Sequence, residues 1–120
     1  MIKNIILVFI GGGLGSVLRY FASLIFSNKN NLYSTLLVNV VGSFCIGLTM
    51  SYLVKKNQPI LTTQLLVITG LLGGFTTFSA FSWHVLELIK QQQIALALLY
   101  ILLTCILSFI AVSFGYYIIK

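Results

Sequence analysis

The segment Gly70-Leu71-Leu72-Gly73-Gly74-Phe75-Thr76-Thr77-Phe78-Ser79-Ala80-Phe81 concentrates glycines and hydroxyls inside an otherwise apolar run. Glycine and β-branched threonine both weaken a helix, so a helix broken near its middle is expected here. A break frees carbonyl and N–H groups, which survive at membrane depth only when buried in protein or facing a polar cavity. Such carbonyls can hold a cation, and the N-terminus of the following half-helix can hold an anion. The competing reading is an unbroken helix with a glycine pair used for packing. The coincidence of glycines with hydroxyls favours the break. Phe78 and Phe81 are three apart and share a helical face. Their positive ring edges can touch an anion without formal charge, which suits an ion held loosely enough to leave. Taken alone, two such rings belong to a lipid-facing or core surface.

Other candidates are spread along the chain. Asn39 is an amide deep in an apolar run, where it needs partners; it either glues helices together or offers N–H donors. Tyr100, Thr104 and Ser108 stand four apart and form one hydroxyl stripe. Hydroxyls can donate to a small anion in place of water, or bond back to their own helix. The stripe of three favours a lined path. Arg19 either snorkels to the headgroups or raises anion concentration at a pore mouth. His84, Glu87 and Trp83 read as interfacial residues near the end of a run, with Trp83 as an anchor. Cys45 and Cys105 fall mid-run and behave as small hydrophobes. Glu87 is the one acidic residue, which excludes paired-carboxylate catalysis, EF-hands and most two-metal sites within a chain. No nucleophile, base and orienting group come together, so an enzyme is not expected.

These residues must be held by elements that the composition constrains. Of 120 residues, 59% are hydrophobic and 7% are charged. A soluble domain is roughly 25% charged, and eight charged side chains cannot cover a fold of this size with polar surface. Disorder is excluded by the same hydrophobicity. Apolar runs at 5–26, 34–53, 61–89 and 95–119 each meet the requirement of about 20 residues for a spanning helix. The expectation is a single all-α integral membrane domain over 1–120, with four transmembrane helices and the third broken. Lys3 followed by apolar residues imitates a signal peptide, yet the run is too long for one.

The net charge of +6 is scattered between the runs rather than gathered in a stripe, so no nucleic-acid partner is expected. Lys3, Lys55, Lys56 and Lys120 fall on one side of the membrane, Lys29 and Lys90 on the other. That bias is slight. Either the Lys55/Lys56 side is cytoplasmic or the chain inserts both ways up. Four helices of about 10–12 Å diameter enclose no lumen, so an oligomer with paths near subunit contacts is expected. Gly11-x-x-x-Gly15 and Ser43-x-x-x-Gly47 permit close helix approach, either within the bundle or at a dimer seam.

These motifs together resemble the CrcB/Fluc family of fluoride channels. The resemblance covers nearly the whole chain. It rests on Gly11-Gly12-Gly13-Leu14-Gly15 through Arg19-Tyr20, on Val38-Asn39-Val40-Val41-Gly42, and above all on Gly73-Gly74-Phe75-Thr76-Thr77-Phe78-Ser79-Ala80-Phe81. It implies an antiparallel, dual-topology homodimer in the inner or plasma membrane of a prokaryote, with no further protein partner required. It also implies two fluoride pores per dimer and passive export that lowers fluoride toxicity. A structural sodium ion would sit at the two-fold axis, held by backbone carbonyls of Gly73 and Thr76. The phenylalanine pair maps onto Phe78 and Phe81, the pore amide onto Asn39, the hydroxyl track onto Tyr100, Thr104 and Ser108, and the vestibule cation onto Arg19, with Ser79 a further lining candidate. Ala80 stands where many relatives carry threonine, and the track would next reach the apolar Val112, with Ser113 off its face. Competing functions are a small four-helix multidrug exporter, which calls for a membrane-embedded carboxylate, and a non-transporting scaffold subunit.

Overall fold

The computed structural model describes residues 1–26, 31–56 and 61–119. Residues 27–30, with Lys29, residues 57–60 and Lys120 lie outside the described residues. Four helices are long and apolar enough to cross a membrane: Ile2–Ile25, Leu32–Lys55, Leu61–Lys90 and Ile94–Ile118. The first begins at Ile2 rather than Ile5, because Lys3 can reach outward while its backbone stays helical.

The third span is the irregular one. It opens with one α-turn, Leu61–Thr63, then widens into a π-helix over Gln64–Leu72 and returns to α over Gly73–Phe75. The chain then goes extended at Thr76 (φ −76°, ψ 157°) and Thr77 (φ −152°, ψ 120°) before a second helix, Phe78–Lys90. The expected break is therefore present, but it falls on the threonines. The glycine pair is helical. The π segment was not foreseen from composition.

Packing explains both features. A Cβ on Gly11 would meet the Leu66 carbonyl oxygen, and one on Gly15 would meet the Leu71 carbonyl oxygen. Gly11 and Gly15 are one α-turn apart, whereas Leu66 and Leu71 are five residues apart, one π-turn. The glycine face of the first span thus lies directly on carbonyls spaced by the π repeat. A second seam joins the second and fourth spans, where a Cβ on Gly47 would meet the Val112 carbonyl and one on Gly115 the Phe44 carbonyl. Both glycine seams are contacts inside the bundle. The Lys55 ammonium donates to the Ile119 carbonyl at 3.1 Å, so these two spans run parallel and end together.

The first span packs on the π segment, while the half-helix Phe78–Lys90 leans on the second and fourth spans. The third span therefore changes neighbours at its break. A small core forms beyond the break from Phe81, Leu88, Ala97 and Tyr100.

Candidate functional site

In an unbroken helix the Thr77 N–H would close on the Gly73 carbonyl and the Ala80 N–H on the Thr76 carbonyl. Neither does. The Thr77 N–H donates to Asn39 Oδ1 at 2.8 Å, and Asn39 Nδ2 donates back to the Thr77 carbonyl at 3.1 Å. The Ala80 N–H donates to Thr77 Oγ1 at 3.2 Å, so Thr77 is the N-cap of the half-helix Phe78–Lys90. Side chains have taken the donors, which releases the Gly73 and Thr76 carbonyls from helical pairing. Asn39 is therefore glue, as a lone buried amide usually is, and it keeps a second Nδ2 hydrogen besides. The Thr76 hydroxyl donates to the Leu72 carbonyl at 2.8 Å.

A cleft of about 300 Å³ opens beside this break, lined by Asn39, Ser43, Ile46, Thr76, Thr77, Phe78, Phe81, Thr104, Cys105 and Ser108. It brings together six candidate site residues read from the sequence: Asn39, Thr76, Phe78, Phe81, Thr104 and Ser108. The Phe78 and Phe81 ring centroids are 5.5 Å apart. Phe81 is 8% exposed and anchored in the core, whereas Phe78 is 79% exposed. The positive end of the half-helix points into the same region, with the Phe78 and Ser79 N–H groups at its first turn.

The hydroxyls of Tyr100, Thr104 and Ser108 are buried and have no hydrogen-bond partner among the described residues. Tyr100 faces Thr35 and Thr104 without closing a bond to either. A buried, unpaired hydroxyl costs about 1–3 kcal/mol. Three in line on one helix face form a wall suited to a polar guest. Tyr100 lies behind the cleft rather than on its lining, with its ring 5.4 Å from that of Phe81. Ser79 is exposed and shares a hydrogen bond with Thr77 at 3.2 Å, outside the cleft wall.

Arg19 belongs to a second cleft of about 330 Å³ that reaches Thr77 from the side of the first span, with Ser34, Thr35, Ala80 and His84. Val112 and Ser113 line another recess with Gly47, Met50 and Tyr116. There the Ser113 hydroxyl donates back to the Phe109 carbonyl at 2.8 Å. Sequence reasoning passed over Thr77 as cap, and it read Ser43 only as a packing residue and Cys105 only as a small hydrophobe, whereas both line the cleft. A threonine just before a helix is a capping signal, and Ser43 stands one turn after Asn39. Both cysteines are free. Among the described residues no three His, Cys, Asp or Glu side chains gather for a metal.

The family described as "CrcB-like protein, Camphor Resistance (CrcB)" matches residues 6–116. A protein of Flavobacterium psychrophilum named "Fluoride-specific ion channel FluC" is 41% identical over 98% of both chains. One of Staphylococcus saprophyticus named "Fluoride-specific ion channel FluC 1" is 44% identical over 93% of this chain and 95% of its own. One of Agrobacterium fabrum, again "Fluoride-specific ion channel FluC", is 40% identical over 93% and 92%. Matched by that family model over residues 6–116 and similar to these relatives over nearly its whole length, this four-span membrane chain belongs to the CrcB-like family.

Proposed function

We propose that this protein is a passive, fluoride-selective channel that lets fluoride leave a prokaryotic cytoplasm through the inner or plasma membrane. The observation that carries the reading is the cleft joining Asn39, Phe78, Phe81, Thr104 and Ser108 beside the positive end of a half-helix. Fluoride is small and holds its water strongly, so a path must replace that water with well-placed donors. The spare Asn39 N–H, the Thr104 and Ser108 hydroxyls and the ring edges supply them without a fixed charge that would trap the ion. Chloride is larger, and a narrow, rigid path excludes it on size.

The working unit is an antiparallel, dual-topology homodimer with two pores, each completed by the partner. A bare Phe78 ring and an exposed Gly73 on the subunit surface support this pairing. A structural sodium ion fits the donor set, because the released Gly73 and Thr76 carbonyls are hard oxygen ligands of the kind that broken helices offer to alkali cations. Bound there, the ion would supply fixed positive charge near the anion path. The multidrug-exporter reading lacks its embedded carboxylate, since Glu87 lines a cleft at the end of the third span with Gln91 and Gln93.

The test is fluoride release from proteoliposomes read with a fluoride electrode. The expected result is rapid release, with chloride retained. Release no faster than from protein-free vesicles would overturn the reading.

A further inference from the structure

His84 lies where two clefts meet. One is the Arg19 cleft, which descends to Thr77 at the break. The other, of about 380 Å³, opens at the outer end of the half-helix with Glu87 and Gln91. His84 lines both, and its Nδ1 is buried without a partner among the described residues. The two clefts share Asn31 and His84, and together they reach from the membrane edge to the capped end of the half-helix.

The charges on that route are few. From the first span come Arg19 and the phenol Tyr20; from the second, only the uncharged Asn31, Ser34 and Thr35. From the fourth span Tyr100 presents its ring 6.4 Å from the imidazole. On the same helix Glu87 follows by one turn. Among the described lining residues, Arg19 and Glu87 cancel when the imidazole is neutral. Protonating His84 leaves the route with a net charge of +1.

We propose that His84 is a second anion contact of this entrance, acting beside Arg19 only when protonated, so that acid conditions raise the supply of fluoride to the filter. The proposal rests on the channel reading above for its ligand. One added charge within a few ångströms of a wet mouth changes local anion concentration by about two- to threefold.

The chain has a single histidine, so its imidazole can be followed without ambiguity by NMR in detergent-solubilised protein freed of any histidine tag. In fluoride the titration midpoint should lie about 0.3–0.5 units above that in gluconate of equal ionic strength, because coupling between proton and anion is reciprocal. Electrode-measured flux, corrected for hydrogen fluoride crossing protein-free vesicles, should be two- to threefold higher at pH 6 than at pH 8. In His84→Gln that ratio should fall to about one, while Arg19→Gln should lower flux at both pH values and keep the ratio. An identical midpoint in the two salts would overturn the proposal, as would an unchanged ratio in His84→Gln. Absence of flux at every pH would refute the channel reading instead, and the NMR midpoint would still decide whether His84 binds the anion.

Discussion

Asn39 holds Thr77 by both ends of its amide. It does for the broken helix what a strand neighbour does in a sheet. Asn39→Ala leaves the Thr77 N–H without a partner inside the membrane and should destabilise the subunit by about 1–3 kcal/mol, visible as a lower thermal midpoint in detergent. Asn39→Asp keeps the acceptor for that N–H but places a negative charge against the anion cleft. It should cut fluoride flux more than tenfold at neutral pH, by electrode, and cost at least as much stability as alanine, because the carboxylate cannot donate to the Thr77 carbonyl and faces that oxygen inside the membrane. The two phenylalanines differ. Phe81→Ile hollows the core around Leu88 and Tyr100 and should lose about 1–3 kcal/mol as well as flux. Phe78→Ile touches an exposed ring and should lose flux alone. That Asn39 needed a partner was readable from its apolar surroundings. Which partner was not, because residues 39 and 77 are joined only by the way two spans cross.

The third span shows how one helix conditions another. Gly11 and Gly15 sit on the Leu66 and Leu71 carbonyls, so a methyl group at either position pushes the first span off the π segment. Gly15→Ala should destabilise by about 1–3 kcal/mol, measured by thermal unfolding. Gly13, whose added Cβ meets nothing within 4 Å, is the control. Gly13→Ala should be neutral, or should stabilise by up to about 1 kcal/mol through helix propensity. The four spans were legible because a bilayer demands about 20 apolar residues in a row. The break was legible as a cluster of poor helix formers over 70–81, but which of those residues leave the helix was not. It falls at Thr76 and Thr77 because Asn39 and the Thr77 hydroxyl supply the bonds that end one helix and start the next. The π turn was illegible, since its register answers to glycines more than fifty residues away.

As an assembly, the protein depends on what the break leaves on its surface. In the proposed dimer the Gly73 and Thr76 carbonyls would form a cation seat where two copies bring them together. Replacing all sodium with N-methyl-glucamine should lower flux and shift the dimer toward monomer on size-exclusion chromatography. Full activity and full dimer without sodium would count against that seat. Dual topology was suggested by the thin bias of lysines, and that balance is a property of the whole chain that no single helix displays. Phe78 carries the last consequence. Its ring stands bare on the lone subunit, so under the proposed pairing an unpartnered copy has a groove where the finished protein has a tube. Under that pairing a freshly inserted subunit would stay electrically silent until it met a partner.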